Sequence, residues 1–360
     1  MPTSDRWKRA LGACLLALTC AAATAQVDDS YSDEPAYIAR LADRSMLIDG
    51  AVKPSGDIVV VGERGHVLLS SDGGQSWTQS PVPTRSLLTA VYFFDDNNGW
   101  AVGHDTVILR TTDGGASWSK VYFDPADQRP LFGVLFTDAN NGMAVGAYGL
   151  YMTTSDGGQS WEVRDLSPVR YGEEADGDDE EADDAEDDPS DDEYYEDEFE
   201  FFDYHLNHIT ADAAGRLYIA AEAGHFFRSD DGGENWIAMN TPYEGSYYAT
   251  VPLEGDSLLL CAMRGHLLRS DDAGVTLKDL DTDTLSLLSG GAVTGNGTVL
   301  VVGMGGALLV SDDAGSSFEL VAQPDRKGLS TVLAAGNGNV VLIGEAGVQR
   351  RAVESLSSGQ

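Results

Sequence analysis

Between residues 46 and 354 the apolar positions come in short runs, some alternating with polar residues and some continuous, always broken by Gly, Asp, Asn or Ser. Period two and runs of four to six residues predict strands, and no stretch carries the spacing of an amphipathic helix. In the first unit the pattern predicts strands at 46–52, 57–62, 66–70 and 77–80, a small antiparallel meander. One apolar run recurs along the chain, as Val60-Val61-Gly62, Ala101-Val102-Gly103, Ala144-Val145-Gly146, Ala220-Ala221, Cys261-Ala262 and Val301-Val302-Gly303. A seventh copy is Leu342-Ile343-Gly344.

Six of these runs are followed by a turn that first reads Ser-x-Asp-x-Gly-x-Ser-Trp at 70–77. Its aspartates are Asp72, Asp113, Asp156, Asp231, Asp272 and Asp313, at steps of 41, 43, 75, 41 and 41. The long step is one repeat plus an insertion. Four strands in a repeat of this length predict an all-β fold, a seven-bladed β-propeller of four-stranded antiparallel blades with aspartate-box turns, over 46–354. The seventh unit offers three strands and no box. Residues 26–45 are expected to supply its ring-closing strand, from 35–44, and 355–360 to be a tail.

Each residue of the box has a folding role. The Asp carboxylate accepts N–H groups of its own turn, Gly permits a left-handed backbone, and Trp77, Trp118, Trp161 and Trp236 bury large surfaces between sheets. Leu277 and Phe318 replace the Trp in units five and six, where packing is expected to be weaker. The six aspartates are read as structural, neither catalytic nor metal ligands.

The boxes resemble those of sialidase-type BNR propellers. The fuller pattern, Val91-Tyr92-Phe93 through Asn98-Gly99-Trp100-Ala101-Val102-Gly103 and then Thr111-Thr112-Asp113-Gly114-Gly115-Ala116-Ser117-Trp118, is similar to the photosystem II stability and assembly factor family. Val134-Leu135-Phe136 through Asn141-Gly142-Met143-Ala144-Val145-Gly146 repeats it. The resemblance is close in units one to four and looser from Gly255 onward. It implies a non-enzymatic propeller that binds other proteins during assembly of a membrane complex. It does not imply photosynthesis.

Charge adds a second layer. The 360 residues hold 22 Lys plus Arg against 59 Asp plus Glu, a net charge of -37, which repels nucleic acid and anionic lipid surfaces. Residues 173–200 contain 19 acids in 28 positions and no base, and 167–203 is expected to be a disordered acidic insertion between units three and four. Its aromatic residues, among them Tyr194, Tyr195 and Phe199, suggest docking on a basic partner or on the rim; solubilising tether and diffuse Ca²⁺ binding are the other readings. At the N-terminus, Arg6, Lys8 and Arg9 precede an apolar run ending in Ala23-Thr24-Ala25, which reads as a secretory signal over 1–25. The protein is therefore expected to be exported, periplasmic or secreted, without a membrane span. Cys261 would then stand alone, in an apolar strand.

In a four-stranded blade the turn between strands two and three shares a face with the inter-blade connections, opposite the boxes. That rim carries Glu63, Arg64, His104, Asp105, Tyr148, Glu222, Met263, Arg264 and Glu345, with Arg85, Arg129, Tyr243, Tyr247 and Lys327 from connections. Arg64 and Arg264 occupy one repeat position, and a local arginine cluster on an acidic protein suits a carboxylate. His66, His225 and His266 also share a position, but equivalent sites on different blades splay apart, so no metal is expected. His205 and His208, three apart on a strand, are expected on opposite faces. The alternative is a glycan-binding protein or sialidase-like hydrolase, which needs an arginine triad and a Tyr–Glu pair; Arg64, Arg264, Glu222 and Tyr247 are its candidates. The reading is a monomeric, cofactor-free, non-catalytic binder of a membrane-associated protein, an accessory factor for an envelope complex or transporter.

Overall fold

The computed structural model describes residues 34–166, 169–171 and 204–356, apart from 322 and 324. They form seven sheets, antiparallel but for one added strand, arranged as the blades of a β-propeller. The innermost strands are Leu47–Val52, Leu88–Phe93, Leu131–Phe136, Leu206–Ala211, Tyr247–Pro252, Leu288–Val293 and Leu329–Gly336. The second strand of every blade is the recurrent apolar run, and from Ile58–Gly62 to Val299–Gly303 all five of its residues are buried. A strand covered on both faces by neighbouring blades has no polar face, which is why these runs are continuous and not alternating.

The core is divided in the same way. One cluster of buried side chains fills each interface between adjacent blades, for example Trp118 with Leu109 and Val61 between blades one and two, and Trp236 with Tyr151 and Met143 between blades three and four. The box tryptophans point into these interfaces. Trp161 meets Phe136 edge-on, with centroids 5.8 Å apart, and Trp236 meets Tyr151 at 6.2 Å. Trp100, from a second strand, stacks on Phe136 at 3.5 Å. Cys261 is fully buried, and burial pushes its thiol up to about 12.

All six boxes share one hydrogen-bond pattern. Asp113 accepts from the Ser117 N–H at 2.9 Å, the Ser117 hydroxyl at 2.6 Å and the Thr111 hydroxyl at 2.8 Å. Asp231 does the same with Asn235 and Ser229, and Asp272 with Thr276 and Ser270. These donors hold the carboxyls of Asp72, Asp113, Asp156, Asp231 and Asp313 below the usual range. Arginines tie boxes to the preceding blade: Arg228 donates to the Ala273 carbonyl at 3.0 Å, Arg269 to Ala314 at 2.6 Å and Arg350 to Gly73 at 3.0 Å.

Three boundaries differ from expectation. Among the described residues blade seven has three strands, and 34–46 form no strand beside it. Ala36 N–H donates to the Val82 carbonyl and Ala39 N–H to the Gln79 side chain, so the amides of this segment bind blade one. The ring is closed by packing, with Ala39 and Ala42 set among Leu47, Val341 and Ile343, and by the Ser330 hydroxyl donating to the Leu47 carbonyl at 3.3 Å. The outer strand Gly347–Ala352 lies beside Ala42–Arg44 and ends in exposed Arg350, Arg351 and Ala352, a charged edge that discourages pairing with other chains. Second, Val169–Tyr171, at the start of the expected disordered insertion, pairs in parallel with Trp236–Ala238 as a fifth strand of blade four. Residues 172–203 and the signal segment 1–25 lie outside the described residues. Third, Val353 and Leu356 are buried between blades six and seven, so the packed core runs into the expected tail.

Candidate recognition rim and central channel

The hydrogen bonds separate the two faces. Box turns bond the turns between strands one and two, as Gly114 N–H does to the Asn97 carbonyl, while the turns between strands two and three bond the inter-blade connections, as His104 N–H does to Leu87. In six blades the middle residue of that second turn is left-handed: Arg64 (φ 57°), Asp105 (57°), Tyr148 (51°), Ala223 (54°), Arg264 (56°) and Gly305 (65°). For a residue with a Cβ this conformation costs about 1–2 kcal/mol. Close backbone contact maintains it. A Cβ on Gly65 would lie 2.2 Å from the Thr84 carbonyl oxygen, and one on Gly265 would lie 1.9 Å from that of Thr284, so only Gly fits after each arginine. Arg64 and Arg264 are both exposed.

The predicted rim residues divide sharply. Arg64 and Arg264 stand on blades one and five, with two further blades between them on the shorter way round, so they form two separate points and not one cluster. Arg264 lies over a hollow bordered by Asp279, Asp281 and Asp283. Glu63 is half-buried beside Arg64, and Tyr148 is 57 % exposed with its ring edge-on to His205 at 4.8 Å. Arg85 is committed within the chain: it pairs with Glu34, donates to the Pro35 carbonyl at 3.1 Å and covers the Tyr37 ring at 3.9 Å. Arg129 makes a forked pair with Asp127 at 2.5 and 2.9 Å. Tyr247 is fully buried and its hydroxyl donates to the Tyr243 carbonyl at 2.7 Å. Tyr247 is thus inside the fold, while Arg85 and Arg129 are partly exposed side chains engaged by neighbours within the chain. Arg64, Arg264, Glu222 and Tyr247 are left unassembled as an arginine-triad site.

The histidines are separate as well. His66 is buried, and burial lowers its pKa. His225 lies tilted against Tyr204, with ring centroids 4.0 Å apart, and His266 pairs with Asp279 at 2.6 Å and stacks on Tyr243. Among the described residues no three His, Cys, Asp or Glu converge as metal ligands.

What the repeat pattern left unnoticed is the axis. Every innermost strand skips one residue in its pairing near its start, at Ile48, Thr89, Phe132, Asn207, Tyr248, Ser289 and Ser330. Several of these reach the next blade: Asn207 donates to the Tyr247 carbonyl at 2.8 Å and Ser289 to Leu329 at 2.8 Å. This bulge overturns the strict alternation expected for His205 and His208, and both line the central cavity of about 810 Å³. The next ring, in register across all blades, reads Asp49, Ala90, Gly133, His208, Ala249, Gly290 and Thr331. Asp49 accepts from the Val91 N–H at 2.9 Å, yet burial pushes its carboxyl up to about 6 against that bond. His208 Nδ1 accepts from the Thr250 N–H at 3.4 Å, leaving the proton on Nε2, and burial lowers its pKa to about 4. At the mouth, Glu222 accepts from the His205 N–H at 3.2 Å beside Tyr248. Aligning the repeats on the bulge would have singled out Asp49 and His208, the two titratable residues in an otherwise small ring.

The comparisons agree with the resemblance read from the motifs. The family model described as photosynthesis system II assembly factor YCF48 matches residues 2–110, under a third of the chain. The chain is 39% identical over 57 residues to a chloroplastic photosystem II stability/assembly factor, HCF136, from Cyanidioschyzon merolae, covering 15% of this chain and 13% of that protein. It is 40% identical over 65 residues to a photosystem II assembly lipoprotein, Ycf48, of Synechococcus, covering 18% of this chain and 20% of that one. The matches thus span a small part of these curated relatives. A solved structure described as YCF48 bound to D1 peptide superposes with a TM-score of 0.63 at 18% identity, over 86% of this chain and 93% of that chain, which establishes the common fold.

Proposed function

We propose that this photosystem II assembly factor-like chain is an exported, non-catalytic propeller whose rim binds a protein segment during assembly or upkeep of a membrane complex in the cell envelope. The observation that carries this reading is the row of left-handed rim turns, in which Arg64, Tyr148 and Arg264 keep large side chains at positions where Gly would cost less. Backbone strain held at an exposed surface accords with recognition better than with stability. The relatives point the same way: one is described as an assembly lipoprotein and another as bound to a D1 peptide, a protein segment. Recognition would be positional. A rigid ring holds separated cationic points and an exposed tyrosine over an acidic body, and no bond is made or broken.

The test is site-specific photo-crosslinking in envelope extract from positions 64, 148 and 264 on the rim and from 75 and 159 on the box face. Adducts with one protein from the rim alone are expected, those from position 148 being lost in Arg64→Glu with Arg264→Glu. Adducts from the box face alone would overturn the reading.

A further inference from the structure

We propose that the central channel is a binding site for a linear primary ammonium group, with the Asp49 carboxylate at its waist and Glu222 at its mouth. The inference is independent of rim recognition. Two carboxylates face a cavity of about 810 Å³, and among its described lining residues there is no Lys or Arg to neutralise them. The cavity continues past Asp49 and His208 toward the box face, where Thr210, Thr250 and Thr331 line it. Ala90, Gly133, Ala249 and Gly290 leave the waist open, so an alkyl chain can reach Asp49.

A second, independent observation lies beside this ring. Thr250 is 3% exposed, lines the channel, and its buried hydroxyl has no hydrogen-bond partner among the described residues. His208, neutral with its Nε2–H uncommitted among the hydrogen bonds described, adds a donor and no competing positive charge. At the mouth Phe132 and Tyr148 flank His205, with centroids at 5.7 and 4.8 Å, and Tyr248 adjoins Glu222. Aromatic faces beside a carboxylate favour an ammonium group. The net charge of -37 raises the local concentration of cations further. The same ammonium chemistry is offered by a free diamine and by a lysine side chain of a bound protein.

Calorimetric titration of the full chain at neutral pH and moderate salt separates the cases, using cadaverine, a capped Gly-Lys-Gly peptide and the uncharged 1-pentanol. One site per chain is expected for a cationic probe and none for pentanol. Tighter binding of cadaverine identifies a free diamine as the ligand, and tighter binding of the peptide identifies a lysine side chain. Asp49→Asn, which keeps an acceptor for Val91, should weaken binding by about tenfold or more, and Glu222→Gln by about threefold. Glu254→Gln, on an exposed turn of the opposite face, should leave it unchanged. Glu222 lies on a surface turn, so its variant decides the matter even where Asp49→Asn fails to fold. Multiple weak sites indifferent to both variants, or no binding of either cationic probe, would overturn the proposal.

Discussion

The box ring at the periphery and the ring of residues around the axis are built on the same sevenfold repeat, but they use it in opposite ways. The boxes repeat their chemistry six times, with donors that favour the ionised carboxylate, because each must close the same turn in its own blade. The axial position has one backbone geometry and five kinds of side chain, and its single carboxylate is held where ionisation is disfavoured. Repetition at a repeat position marks folding; variation into costly residues marks a site.

Substitutions sharpen this contrast. The largest loss is expected at the periphery, where Trp236→Ala removes a side chain that is 1% exposed and should cost about 3–5 kcal/mol in denaturant unfolding. The half-buried Trp77 should cost less. At the axis the sign reverses. Asp49 titrates at about 6 in the fold against 3.8 in the open chain, so its contribution to stability is present below the open-chain value and is lost as pH rises through 6. Asp49→Asn should therefore stabilise the protein by about 2–3 kcal/mol at neutral pH, an advantage that fades below pH 4. A destabilised Asn variant at neutral pH would break the comparison.

His208 contributes with the opposite slope. Its pKa falls from 6.5 to about 4 on folding, so the open chain takes up the proton first and stability is lost as pH falls between those values. His208→Gln should flatten that loss, by about 3 kcal/mol across the window, in melts followed from neutral to acid pH. The two axial groups oppose each other in the parent protein and become visible only singly. A smaller effect is expected from Asp113→Ala, about 1 kcal/mol, comparable to loss of a helix cap because the carboxylate is exposed. Least of all is Arg269→Ala, at about 0.5–1 kcal/mol for its bond to the Ala314 carbonyl and its exposed pair with Asp271.

Much of the architecture was legible. A period near 41 residues, a turn with a fixed chemistry and a buried strand without polar positions are local signals, and each survives in the fold within a residue or two. The rim was legible only in part. Arg64 and Arg264 follow from their shared position, but the same reasoning placed Arg85, Arg129 and Tyr247 beside them. Whether an arginine is free depends on neighbours distant in sequence, as when Arg85 meets Glu34, Pro35 and Tyr37.

By itself the sequence determined what repeats: blade number, strand order, box turns and the face on which each turn lies, all set by backbone geometry within some forty residues. Tertiary structure alone decided how the ring closes and what the axis contains. Residues 35–44 lie against both ends of the ring, with amides bonded to acceptors of blade one and Ala42–Arg44 set beside the outer strand of blade seven. Asp49 and His208 meet only because seven bulged strands converge, putting groups 159 positions apart in the chain around one channel, where burial shifts both pKa values.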